Sequence, residues 1–145
     1  MATSSGEIPG ITETDSRATV VMSYGMGVDS TAILLRWLTD PSSRDFDLAD
    51  LIVVTAHTGD EFDTTLRDVE EVVLPELRRH AVRFVQVGRT QRKTTTKGEG
   101  VAVLDDSTNP QKLYAAAYRL SDEMLSAGTL PQVGGARMWI VDCTL

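Results

Sequence analysis

The chain has 145 residues, with 21 acidic and 14 basic side chains and a formal charge of −7. That length holds one ordinary domain with a proper core, and a composition 41% apolar and 24% charged excludes wholesale disorder, collagen and coiled coil. One cysteine, Cys143, and two histidines, His57 and His80, exclude an internal disulfide framework and argue against structural zinc, no stretch approaches the ~18 apolar residues of a membrane span, and the acidic balance argues against a general nucleic-acid coat.

Residues 1–17 are polar and aperiodic and read as a disordered tail. They contain no apolar h-region, so no secretory signal is visible and a cytoplasmic setting is expected. Residues 18–145 read as one domain. A β-branched apolar run over 18–23 predicts a strand. It ends in Tyr24-Gly25-Met26-Gly27-Val28-Asp29-Ser30, and Ile33, Leu34, Trp37 and Leu38 then share one helical face over 31–39. Asp40-Pro41-Ser42-Ser43 stops that helix. The unit repeats. Residues 51–56 form a continuous apolar run, as expected of a strand covered on both faces. The turn His57-Thr58-Gly59-Asp60 follows, then a helix over 62–80 with Leu66, Val69, Val73 and Leu77 on one stripe. Pro75 should kink or restart it. A third strand is predicted over 83–87. The β-α-β-α-β alternation implies an α/β fold, an open parallel sheet with right-handed crossovers and helices on both faces.

Beyond residue 88 the pattern weakens. Residues 101–104 suggest a short strand. Asn109-Pro110 is a good helix start, Leu113, Ala116, Ala117, Leu120 and Met124 form a helical stripe, and Gly128 suits a C-cap. Residues 138–141 are apolar and suggest a last strand. A doubly wound sheet normally continues past such a point with a covering helix, so a shortened or partial domain is expected.

Charge is unevenly placed. Residues 78–97 hold seven of the fourteen basic side chains and no acidic one. The island suggests a local anion site, with Arg89, Arg92, Lys93 and Lys97 reaching an anionic co-substrate; a solvated helix end and loop is the plainer alternative. Arg137, after Gly134-Gly135, is a weaker phosphate candidate.

The chemistry concentrates after the first strand. Two glycines let the backbone approach a ligand closely. The following helix points free N–H groups and about +0.5 of a charge at the loop, which suits a phosphate. Ser23, Ser30 and Thr31 add hydroxyls. A tight turn capped by Asp29 or Ser30 is the structural alternative. A Walker A string is absent, and the dinucleotide fingerprint fails because Ser30 stands at its third glycine.

The string Ser23-Tyr24-Gly25-Met26-Gly27-Val28-Asp29-Ser30-Thr31 resembles the PP-loop, SGGxDS, of the adenine-nucleotide alpha-hydrolase superfamily. It is most similar to the phosphoadenosine phosphosulfate reductase family, whose related loops carry an extra serine and an aromatic before the core motif. Thr58-Gly59-Asp60-Glu61-Phe62-Asp63-Thr64-Thr65 fits the TGxExxxT pattern that the family often shows after its second strand. The resemblance covers residues 20–87. It departs at Gly25, where the core motif has serine, and at Met26, where it has glycine, so that a side chain could narrow the loop or shift its backbone. Cys143 lacks the glycine and histidine that follow the reductases' catalytic thiol.

The resemblance implies a Rossmann-like sheet of PP-loop type. Ser23, Gly25, Gly27, Asp29, Ser30 and Thr31 would cradle the phosphates of ATP or a related adenine nucleotide, and Asp29 would help hold Mg2+. Thr58, Gly59 and Glu61 would join them from the neighbouring strand end, Glu61 toward ribose or metal; an acid near a helix start is its plainer role. His57 is a candidate acid or base, or a packed strand-end histidine. The implied partner is a small-molecule nucleotide, and the implied activity is ATP α–β cleavage or sulfur or nucleotide transfer. A non-catalytic nucleotide-binding domain and an accessory of nucleic-acid modification stay open, the latter less favoured.

Overall fold

The computed structural model describes residues 20–90 and 100–128. The tail, the predicted strand over 138–141, and Arg92, Lys93, Lys97, Arg137 and Cys143 lie outside them. Strands β1 (Val20–Ser23), β2 (Leu51–His57), β3 (Arg83–Arg89) and β4 (Val101–Ser107) form one sheet in the order β1-β2-β3-β4. The first three are parallel, with Met22, Val53 and Phe84 aligned across them. Helix α1 (Val28–Thr39) links β1 to β2. Between β2 and β3 run α2 (Asp63–Asp68), a π-helical turn (Val69–Val73) and α3 (Leu74–Arg79). Helix α4 (Leu120–Ala127) follows β4.

The core is the row Met22, Val53 and Phe84 covered by Leu34 and Leu38 of α1, by Val69 and Val73, and by Leu74 and Leu77 of α3. Leu34, Leu38, Val69, Val73 and Leu77 of the stripes read from the sequence are buried, whereas Ile33, expected on the same face as Leu34, is 47% exposed. Trp37 and Phe46 seal one end, edge to face at 5.1 Å. Pro75 restarts the helix as anticipated. It lacks an N–H and its ring crowds the preceding carbonyls, so a wider turn comes just before it.

Three expectations are corrected. The fold is α/β with a mostly parallel open sheet, but β4 runs antiparallel to β3. The ends of their connection are pinned together, since Thr90 N–H and Oγ1 both donate to the Gly100 carbonyl, at 2.7 and 3.1 Å. Such a link makes a hairpin, not a crossover. Strand β4 also runs past residue 104, because Asp106 takes both guanidinium arms of Arg83 at 2.8 Å.

Second, α1 and α3 do not flank the sheet from opposite sides: both pack into one core on one face. Burial along β2 alternates accordingly, with Leu51, Val53, Thr55 and His57 buried and Ala56 exposed. On the other face Val21 is 65% exposed.

Third, no helix begins at Asn109-Pro110. Residues 108–119 are irregular because other groups claim their backbone. Arg78 donates to the Pro110 carbonyl (2.7 Å), Leu113 N–H to Glu70 (2.7 Å), Tyr114 N–H to Gln86 (3.0 Å), and Tyr118 N–H to the Arg89 carbonyl (3.1 Å). Only α4 remains of the predicted helix, and Gly128 ends it at φ 59°.

Candidate functional site

Both family-like motifs lie where the sheet brings them, at the carboxyl ends of the adjacent parallel strands β1 and β2. Ligands bind along that edge in open α/β sheets.

The β1–α1 loop alternates in and out. Tyr24 is buried, its N–H bonded to the Val54 carbonyl and its hydroxyl 3.0 Å from Thr31 Oγ1. Burial raises the Tyr24 pKa, and the Thr31 hydrogen bond partly offsets that. Met26 is also buried and joins the core, at φ 58°. Its side chain therefore plugs inward and leaves the loop mouth open, at the cost of a left-handed backbone that glycine would hold more easily. Gly25 and Gly27 face outward, and a Cβ on either would meet nothing within 4 Å. Neither has a positive φ. Ser23 and Asp29 are exposed, and Ser30 and Thr31 are half-buried.

Helix α1 starts at Val28, earlier than the sequence suggested, so neither Asp29 nor Ser30 caps it. The N-cap is Gly27, with no side-chain hydrogen bond. Ser30 Oγ instead donates back to the Gly27 carbonyl at 3.1 Å. The first amide to find a partner is Thr31 N–H, on the same carbonyl at 3.0 Å. The N–H groups of Val28, Asp29 and Ser30 thus have no partner among the described residues. Asp29 sits in that first turn, and among the described residues no group of three or more metal-ligating side chains forms around it or elsewhere. A cation there would need phosphate oxygens and water as its other ligands, which is how Mg2+ is commonly held.

The β2–α2 turn is the opposite case. Glu61 folds back onto it: Oε1 accepts from Thr58 N–H and Thr58 Oγ1 (2.8 Å), and Oε2 from Gly59 N–H (3.1 Å). Burial pushes the Glu61 carboxyl up, but these donors outweigh it and hold it below the usual range. Glu61 thus lies before the helix's first turn, since α2 begins at Asp63, and its carboxylate closes on its own turn while also lining a cavity. Asp60 reaches across to α4 and accepts from Ser121 N–H and Oγ, both at 2.7 Å. The Ser121 donors hold its carboxyl low. Leu120 N–H donates to the Thr58 carbonyl at 2.8 Å. Gly59, at φ 81°, lies where a Cβ would sit 3.0 Å from Arg119 Cγ. The turn is a clip that docks α4.

The chain matches no known protein family, no curated protein and no solved structure.

The two motifs share an edge, and one cavity is lined from both of them, by the first loop and by Thr65 at the end of the second motif. Met26, Val28 and Thr31 line a space of about 450 Å³ with Thr65, Asp68 and Val69. His57, Gly59 and Glu61 line another of about 580 Å³. Arg89 lines a third, of about 300 Å³. The other described members of the basic island serve structure: Arg78 holds Pro110, Arg79 and His80 flank Glu76 at 3.7 Å, and Arg83 holds Asp106. Sequence reasoning missed Gln86, a wholly buried strand residue that bonds to His57 Nε2 (2.9 Å) and to residues 112 and 114. A polar residue at an inward position two after Phe84 was the available signal. Among the described residues no helix is long and apolar enough to cross a membrane.

Proposed function

We propose that the chain binds an adenine nucleotide at the β1–α1 loop, in the manner of the PP-loop proteins that the loop resembles, and cleaves ATP between its α and β phosphates or transfers a sulfur or nucleotide group. One observation carries this reading. Three unpartnered N–H groups at the head of a 12-residue helix follow two glycines at which a side chain would meet no neighbouring atom. Donors so arranged suit phosphate oxygens. Ser23, Ser30 and Thr31 supply nearby hydroxyls, with Thr31 steadied by Tyr24. Mg2+ bound beside Asp29 would neutralise phosphate charge. Catalysis would rest mainly on position and charge. Arg89, with Arg92, Lys93 and Lys97 of the same basic island, would meet an anionic co-substrate.

A second reading, nucleotide binding without turnover, is favoured by one fact: Glu61 is engaged by its own turn. Pyrophosphate release from ATP and Mg2+ separates the two. Release that disappears in Asp29→Ala supports cleavage. Tight ATP binding with no pyrophosphate release, whichever acceptor is supplied, supports the second reading.

A further inference from the structure

Strand β3 carries an arginine at each end of its outer face, the face turned away from the core. Arg83 and Arg89 are an even number of positions apart and so point to the same side. Their surroundings differ. Arg83 is met by Asp106 of β4 through two hydrogen bonds of 2.8 Å. Arg89 stands opposite Val101. Its side chain is half-buried, and its guanidinium has no hydrogen bond or ion pair among the described residues.

Arg89 lines the cavity of about 300 Å³ at the carboxyl ends of β2 and β3, whose apolar wall includes Ala56, Val87, Val101 and Leu120. An irregularity of the sheet shapes that wall. The register of β3 on β4 shifts after Gln86, where Leu104 is passed over. This bulge turns Val101 and Val103 to the outer face, beside Val87 and Arg89. Without it Ala102 would stand opposite Arg89, and Val101 would face the other side. The other polar side chains at the cavity are engaged. The Tyr118 hydroxyl donates to Glu123 at 2.9 Å, the Thr58 hydroxyl to Glu61 at 2.8 Å, and His57 Nε2 lies 2.9 Å from Gln86 Oε1. Arg89 is the only lining residue with a permanent charge. A half-buried cation without a countercharge, beside an apolar wall, is matched by an anion with an apolar body. One guanidinium balances one negative charge, and a planar carboxylate meets it through two parallel hydrogen bonds.

We propose that this cavity binds a small monocarboxylate with a branched or aromatic apolar body, its carboxylate paired with Arg89. This names the class of the anionic co-substrate given to Arg89 above. It rests on that reading for the ligand's role and not for its binding.

The test titrates the full chain, without nucleotide, with isocaproate, with its neutral counterpart isocaproamide and with acetate, followed by amide ¹H–¹⁵N spectra. Isocaproate should bind and shift the amides of residues 56–58, 87–89 and 101. Isocaproamide lacks the charge and acetate the apolar body, so each should bind at least roughly fivefold more weakly. Arg89→Gln should weaken isocaproate roughly tenfold or more. Val101→Glu, at a position 59% exposed, sets a carboxylate of the chain opposite Arg89 and should weaken isocaproate to a similar extent. Neither change removes a described side-chain hydrogen bond, so the rest of the amide spectrum should stay as it is. No binding of isocaproate by the folded chain, equal binding of isocaproamide or acetate, or binding kept in Arg89→Gln would overturn the proposal. A separate titration with ATP and Mg2+ tells the two readings apart. ATP binding without isocaproate binding overturns this proposal alone, and isocaproate binding without ATP binding overturns the nucleotide reading alone.

Discussion

The β1–α1 loop and the β2–α2 turn are the same kind of junction, a parallel strand passing through glycine into a helix on the same sheet edge. They differ in what fills them. The first leaves three helix amides open beside two glycines that no neighbouring atom crowds. The second has filled its own donors with Glu61 and locked its glycine against Arg119. A turn that could take an anion can be occupied by a carboxylate of its own chain, so a motif match alone does not make a ligand site.

The glycines break the comparison most sharply. Gly59→Ala forces a side chain into a left-handed backbone and against Arg119, and should destabilise the chain by about 2 kcal/mol. Urea denaturation measures this. Gly27→Ala meets open space at φ −80° and should cost only about 0.5 kcal/mol or less in the same experiment. Equal costs would erase the distinction.

Next comes the clip. Asp60→Ala removes both Ser121 bonds, and amide exchange across α4 should quicken roughly tenfold while β2 stays protected. The pH response has a definite sign. Asp60 and Glu61 are held below the ordinary carboxylate range in the fold. Their stabilisation is therefore present above the unfolded value of about 4 and is lost as pH falls through the lower folded values. The protection of α4 amides, with observed exchange corrected for the intrinsic slowing of amide exchange in acid, should fall below pH 5, and Asp60→Asn with Glu61→Gln should flatten that fall.

Much of this was legible in the sequence because periodicity reports burial. Leu34, Leu38, Val69, Val73 and Leu77 were placed on the right faces, and both junctions fell where strands meet helices. The rest depended on contacts between distant residues. Nothing local says that Glu70 and Gln86 will capture the backbone of residues 112–114 and prevent a helix there, or that Arg83 will pair with Asp106 and extend an antiparallel strand. That Glu61 closes on its own turn is likewise seen only once the turn is folded. Met26 reads as an obstruction until its side chain is found in the core.

The most direct test of the open loop is calorimetric titration of the chain with ATP and Mg2+, in the wild type and in Gly27→Ala. If the uncapped helix head holds phosphate, the wild type binds and the added methyl weakens binding at least roughly tenfold with the fold intact. Equal binding by both, or no binding by the folded wild type, would contradict the account.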